Sequence, residues 1–105
     1  MIRVRVKKSD SGKVTGFNVS GHAGFAKAGT DVVCAGVSAL VINCINSIEQ
    51  FSDTRFDLVQ NEQDGVIDFS CKEPLDDKAV LLMKSLFLGV QEIQDTYGNE
   101  YVTFD

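Results

Sequence analysis

The sequence predicts a single α+β domain in which two helices pack on one face of a mostly antiparallel sheet. Three observations support this prediction. Several short segments alternate apolar and polar residues with the period of two that is typical of half-buried strands, as in residues 2–7. Two longer segments instead repeat apolar residues at helical spacing. The predicted order is strand, strand, helix, strand, strand, helix, strand, which is typical of an α+β domain.

The chain has 105 residues, of which 44% are apolar and 24% are charged. This length suits one compact domain with one core, so we expect the domain to span residues 1–105. The longest uninterrupted apolar run has five residues, from Ala79 to Met83, and the segment from Val37 to Ile42 is interrupted only by Ser38, whereas a membrane span needs about 20 residues. The first residues lack the continuous apolar stretch of a signal peptide. We therefore expect a cytoplasmic protein with no membrane segment.

The first two strands are predicted to form a hairpin. In residues 2–7 isoleucine or valine alternates with arginine or lysine, and the turn cluster at residues 9–12 leads into a second strand, Val14 to Ser20. The basic side chains give this hairpin one positively charged side. Such a side is usually a solvated edge that resists aggregation, although it would also suit a ribosomal or RNA partner.

A glycine-rich segment connects the hairpin to the first helix. Residues 21–30 contain three glycines and several small residues, which predicts a mobile surface loop. Thr30 and Asp31 are both good N-cap residues, and apolar residues then recur at helical spacing. These features predict a buried helix from about residue 31 to about residue 50.

The second half of the chain repeats the order of hairpin and helix. Residues 56–71 predict a second hairpin that turns at Asp64 and Gly65, and a longer helix is predicted from Asp76 to a cap at Gly98. A short strand follows at residues 101–104. Apolar residues beside the main stripe of this helix predict either a homodimer surface or a helix wrapped deeply in its own core; they are Leu81, Phe87 and Leu88.

Charge and cysteine content exclude several classes of protein. The net charge of −5 opposes binding to nucleic acid, which depends mainly on cations that neutralise phosphates. Three cysteines without C-x-x-C spacing indicate neither a disulfide framework nor a zinc ribbon. The sequence also lacks the glycine-rich motif of phosphate-binding loops. We expect no metal and no cofactor.

Cys34 is the candidate nucleophile. It lies three residues after the predicted cap Asp31, where unpaired backbone N–H groups and the helix dipole favour a thiolate. Cys44 and Cys71 instead occupy apolar positions of a helix and a strand. The alternative is that Cys34 is another buried small residue, since free cysteines are often buried.

His22 is the candidate acid–base group, because the loop can fold back and bring its imidazole to Cys34. The alternative is a solvated histidine that continues the polar side of the second strand. Asp31 is a helix cap, a group that orients the histidine, or both, and the cap is the favoured interpretation. Ser38 lies one turn after Cys34 on the same side, where its hydroxyl either contacts the site or bonds to the backbone.

Two motifs closely resemble the signature of the ribosomal-processing cysteine proteases, often called Prp. One is Gly-His-Ala at residues 21–23, and the other is Gly-Thr-Asp-Val-Val-Cys-Ala-Gly-Val-Ser-Ala-Leu at residues 29–40. The resemblance implies that Cys34 and His22 form a catalytic dyad. Asp31 and Ser38 match further motif positions, to which the resemblance assigns no chemical duty.

The resemblance also implies a cytoplasmic homodimer that removes a short N-terminal extension from the large-subunit ribosomal protein L-twenty-seven, next to aromatic residues. The thiolate would attack the scissile carbonyl, and backbone N–H groups at the start of the helix are expected to bind the oxyanion. Two other classes compete with this function. One is a non-enzymatic ribosome-associated or RNA-binding module in which Cys34 is incidental, and the other is a thiol redox enzyme.

Overall fold

The computed structural model describes residues 1–27 and 29–105. All seven predicted elements are present in the predicted order, and their boundaries differ only slightly from those expected. The elements are β1 (Ile2–Lys8), β2 (Val14–Ser20), α1 (Val32–Phe51), β3 (Phe56–Asn61), β4 (Val66–Cys71), α2 (Asp77–Tyr97) and β5 (Val102–Phe104).

The five strands form one mixed sheet with the order β3-β4-β2-β1-β5. β1 and β5 pair in parallel, and the other neighbouring strands pair antiparallel. The register aligns apolar residues across strands, since Val4 lies opposite Val19 and Phe17 opposite Phe69. The rings of Phe17 and Phe69 stack with centroids 5.0 Å apart. This alternation places one face of the sheet in the hydrophobic core.

Both helices pack on that face, as predicted. α1 is capped by Asp31 and α2 by Asp76, and α2 ends at Gly98 with a φ of 123°. By length and composition alone, α1 is apolar enough to cross a membrane. In this fold it is a core helix, and its residues in the hydrophobic core are Val33, Val37, Val41, Cys44, Ile45 and Ile48.

The open face of the sheet carries the basic residues of the first hairpin. Arg3 and Arg5 each have a nitrogen 3.6 Å from the Asp105 carboxylate, and Lys7 Nζ lies 2.8 Å from Asp68 Oδ1. Neighbouring carboxylates therefore offset much of the positive charge that the sequence places on this hairpin.

The apolar residues beside the main stripe of α2 separate into two environments. Phe87 is half-buried, packs against the core and lies edge-on to Phe17 at a centroid distance of 6.1 Å. Of the two alternatives predicted for these residues, packing in the chain's own core therefore applies to Phe87, because its ring reaches the sheet. Leu81 and Leu88 are 67% and 64% exposed.

The strand order brings three distant segments to one end of the sheet. Because Ser20 pairs with Val66, the residues that follow β2 lie beside the turn that precedes β4. Residues 21–30 were predicted as a loop, and residues 21–27 and 29–30 form an irregular segment that leads to α1; Ala28 lies outside the described residues. His22, the start of α1 and the β3–β4 turn therefore meet in space.

Candidate active site

Cys34 lies in the first turn of α1 and is half-buried. Its Sγ accepts a hydrogen bond from the backbone N–H of Ala23 at a distance of 3.1 Å. The residue that follows His22 in the first motif thus contacts the cysteine of the second.

Asp31 ties the loop to the helix. Its Oδ1 accepts from the N–H groups of Val33 and Cys34 at 3.0 Å each, and its Oδ2 accepts from those of Phe25 at 2.9 Å and Ala26 at 3.2 Å. These bonds, the one from Cys34 first, hold the pKa of the Asp31 carboxyl below its ordinary value against the opposing effect of burial. The structure confirms the predicted cap and shows that the same carboxylate also binds two backbone N–H groups of the loop.

The same bonds reduce the number of N–H groups at the start of α1 that are free to bind an oxyanion. The N–H groups of Val33 and Cys34 point to the Asp31 carboxylate, and the N–H of Ala35 donates to the Asp31 carbonyl at 3.0 Å. Helix capping and the first helical bond therefore occupy three of the N–H groups at the start of α1 that were expected to bind the oxyanion, because an N-cap carboxylate satisfies the same free N–H groups.

His22 has an exposed side chain that lies against the β3–β4 turn. The Gly21 N–H donates to the Gly65 carbonyl at 3.0 Å, and the amino group of Met1 donates to the His22 carbonyl. The backbone on both sides of the imidazole is therefore held by other segments.

His22, Cys34 and Ser38 together line two adjoining hollows, with volumes of about 240 Å³ and 450 Å³. The first lies between α1 and the β3–β4 hairpin, which contributes Glu62. The second lies between α1 and the loop, and Asp31 lines it. The predicted site residues therefore share one cleft that extends to both sides of Cys34.

Phe25 packs the loop against two aromatic residues near the C-terminal end of the chain. Its ring lies edge-on to the rings of Tyr97 and Tyr101, with centroids 5.3 Å and 5.1 Å away. Edge-to-face pairs of this kind contribute about 0.5 to 1.5 kcal/mol each. These contacts fasten a segment that the sequence predicts to be a mobile surface loop, and its mobility stays a prediction.

The other two cysteines lie away from the cleft and have different electrostatics. Burial raises the pKa of the Cys44 thiol to about 12 and that of the Cys71 thiol to about 11. Both thiols are therefore neutral at pH 7, and all three cysteines are free. This arrangement matches the apolar positions that the sequence gives to Cys44 and Cys71.

Comparison with known proteins agrees with the two motifs. The sequence model of cysteine protease Prp matches residues 1–103. The chain belongs to this family. It is 31% identical to the ribosomal processing cysteine protease Prp of Staphylococcus aureus over 98 residues, which cover 93% of this chain and 92% of the relative. It is 32% identical to the Prp of Bacillus subtilis over 101 residues, which cover 92% and 90%.

Solved Prp structures share the fold. A crystal structure of S. aureus Prp with a covalently linked product peptide superposes with a TM-score of 0.93 at 30% identity, covering 100% of this chain and 98% of that one. A second, with a substrate peptide, gives a TM-score of 0.87 at the same identity and coverage. The α+β fold and the cysteine protease class predicted from the sequence are thus confirmed.

Three features of the cleft were not found from the sequence. Gly65 was assigned only to a turn, Ala23 only to a motif, and Glu62 to no role. Gly65 and Glu62 acquire their positions through the pairing of β2 with β4, which joins segments more than 40 residues apart. Ala23 instead reaches Cys34 because the irregular segment between them folds back on the start of α1. The Asp64-Gly65 pair indicated a turn in the sequence. Hydrophobic periodicity, however, does not show which strands are neighbours in the sheet, so it could not show that this turn lies beside the end of β2.

Proposed function

We propose that this Prp protein is an endopeptidase that removes a short N-terminal extension from the ribosomal protein L-twenty-seven, with Cys34 as nucleophile and His22 as general acid and base. The observation that carries this proposal is the bond from the Ala23 N–H to Cys34 Sγ, in a cleft that the side chains of both His22 and Cys34 line. Membership of the Prp family and the peptide complexes of S. aureus Prp support it.

Cys34 suits the role of nucleophile better than the other two cysteines. It lines the cleft, and its sulfur accepts a backbone hydrogen bond. Cys44 and Cys71 have raised pKa values of about 12 and about 11, so they supply almost no thiolate at pH 7. Since the thiolate is the reactive species, attack by Cys34 is favoured.

His22 is the only histidine in the chain. In the proposed reaction it takes the thiol proton of Cys34, and the resulting thiolate attacks the scissile carbonyl carbon. The imidazolium then gives that proton to the departing amine as the C–N bond breaks. His22 next removes a proton from water, and the hydroxide attacks the thioester carbonyl. The carbon–sulfur bond then breaks, and the departing thiolate takes the proton from the imidazolium, which restores the thiol and the neutral imidazole.

The Ala23 N–H is our assignment for the oxyanion donor. Attack converts the thiolate to the covalently bonded sulfur of the tetrahedral intermediate, which is a weaker acceptor, while the N–H remains beside the new carbon–sulfur bond. The tetrahedral oxyanion forms at this place, where a preorganised donor stabilises it. This assignment replaces the N–H groups of Val33 and Cys34, which bond to Asp31.

Asp31 and Ser38 support the dyad in different ways in this proposal. Asp31 binds four backbone N–H groups, two in the loop and two at the start of α1. These bonds keep Cys34 and Ala23 in a fixed position relative to each other. Ser38 lines both hollows with an exposed side chain, so we assign it to contact with the bound peptide.

We also propose that the enzyme works in the cytoplasm as a homodimer that forms through α2. Leu81 and Leu88 are two helical turns apart, so they lie on the same side of the helix, and both are more than 60% exposed. Exposed apolar side chains arranged in this way are typical of an interaction surface. A second copy of this chain, related by a two-fold axis, would cover both leucines.

Mass spectrometry of the substrate tests the proposed activity. The purified protein is incubated with L-twenty-seven that carries its N-terminal extension, and the masses of the products are measured. We expect one cut that releases the extension intact. Unchanged substrate after prolonged incubation with folded protein, or cuts scattered along the chain, would contradict the proposed function.

A further inference from the structure

The turn between β3 and β4 contacts the histidine on which the proposed function depends. The antiparallel pairing of Ser20 with Val66 continues past the strand ends, so that Gly65 lies opposite Gly21. The Gly21 N–H donates to the Gly65 carbonyl at 3.0 Å. The turn is therefore joined to the backbone immediately before His22.

Gly65 leaves room for the imidazole because it has no side chain. A Cβ at this position would lie 3.0 Å from His22 Nε2, 3.1 Å from His22 Cε1 and 3.0 Å from the Gly21 carbonyl oxygen. These distances are shorter than the optimum of about 3.5 to 4.0 Å for nonbonded heavy atoms. Any other L-residue at position 65 would displace the ring, the Gly21 backbone or both.

We propose that Gly65 is a positioning residue of this protease, and that its bare Cα forms the wall that fixes the orientation of the His22 imidazole in the cleft. The inference rests on the proposed function, because it matters only if His22 transfers protons. His22 lies on an irregular segment with an exposed side chain, so the wall restricts a ring that would otherwise sample more orientations. Proton transfer is efficient only when the base is held within hydrogen-bond reach of its partner.

A different explanation for Gly65 is that a tight turn needs a glycine with positive φ. Its φ is 64°, a region that glycine adopts without strain. Gly12 provides a matched control for this explanation. It lies in the β1–β2 turn with a φ of 84°, and a Cβ there would meet nothing within 4 Å. Substitution of Gly12 therefore causes backbone strain alone. Substitution of Gly65 causes backbone strain and also a close contact with His22 and Gly21.

The test compares Gly65→Ala and Gly65→Asn with Gly12→Ala and Gly12→Asn. Asparagine tolerates a left-handed backbone better than other residues with a Cβ, so Gly65→Asn keeps the turn but still introduces the contact. Because the chain has one histidine, its ring-proton NMR signals belong to His22. The titratable groups that line the cleft with it are Cys34, Asp31 and Glu62, and all four variants retain them.

We expect both Gly65 variants to lose at least about tenfold in kcat with KM changed less than about twofold, since the reacting geometry is altered and not the binding of peptide. Their His22 ring-proton signals should move at fixed pH, and alkylation of Cys34 by iodoacetamide should slow. Both Gly12 variants should keep the wild-type kcat, signals and alkylation rate.

A folded Gly65→Asn protein with wild-type kcat would overturn the proposal, whether or not the His22 signals move. Equal losses in the Gly12 and Gly65 variants would also overturn it, because backbone strain alone would then explain both. A wild-type protein without peptidase activity would contradict the proposed function instead. In that case the NMR and alkylation measurements would still show whether Gly65 sets the orientation of the ring.

Discussion

The backbone N–H of Ala23 donates to the Sγ of Cys34 at 3.1 Å, and this bond joins two motifs that are separated by the glycine-rich loop. It places Cys34 next to the residue that follows His22, in a cleft that the side chains of His22 and Cys34 line, although an irregular segment lies between them in the sequence. In the proposed reaction the G-H-A motif provides both an imidazole and a backbone donor. The predictions below follow from this arrangement and from the contacts around it.

The three cysteines should react with an alkylating agent at very different rates. With pKa values of about 12 and about 11, Cys44 and Cys71 have thiolate fractions on the order of 10⁻⁵ and 10⁻⁴ at pH 7. Limited treatment of the native protein with iodoacetamide, followed by peptide mapping, should therefore label Cys34 first. Faster labelling of Cys44 or Cys71 in folded protein would show that the nucleophile is assigned wrongly.

Acid should destabilise the protein in part through its two helix caps. Backbone N–H groups, chiefly those of Cys34 and Ala79, hold the pKa values of Asp31 and Asp76 below the ordinary value of 3.8. A carboxylate with a lowered pKa in the folded state stabilises that state above pH 3.8, and this contribution is lost as the pH falls through the lower folded value. Asp31→Asn and Asp76→Asn should each reduce stability at pH 7, and their deficits should shrink below about pH 4.

The two cap variants should differ in activity, which makes each a control for the other. Asp31→Asn also weakens the bonds to the N–H groups of Phe25 and Ala26, so we expect it to lower turnover. Asp76 lies at the start of α2 and should affect stability alone. Urea unfolding at pH 7 and pH 3, with peptidase assays at pH 7, measures both effects. Deficits in stability that do not change with pH would contradict the role assigned to the carboxylates.

The fold could be predicted more completely than the site. Alternation in β1 and the cap at Asp31 act within a few residues of chain, so periodicity and capping chemistry predicted these elements closely. The position of β4 beside β2 depends on pairing between distant segments, and the contact of Gly65 with His22 follows from it. The sequence also did not show that the Asp31 carboxylate, as the cap of α1, occupies the N–H groups of Val33 and Cys34, which are among the donors expected to bind the oxyanion.

The exposed leucines of α2 should control assembly. Replacing Leu81 and Leu88 together by glutamate should convert a dimer to a folded monomer, because two desolvated charges would oppose burial of the interface. Val59→Glu is a matched control, since Val59 is 61% exposed but lies on β3. Sedimentation at micromolar concentration measures the change. A monomeric wild type at high micromolar concentration, or dissociation by Val59→Glu as well, would contradict a dimer through α2.

The dyad itself is tested most directly by the rate at which Cys34→Ala, His22→Ala and the double variant process extended L-twenty-seven. Each single variant should fold, bind substrate and lose at least about a thousandfold in kcat, and the double variant should be scarcely worse, because residues that act as a unit are not additive. Cys71→Ala, which removes a thiol outside the cleft, should process the substrate near the wild-type rate. Near-native processing by purified Cys34→Ala protein, with contaminating protease excluded, would contradict the account.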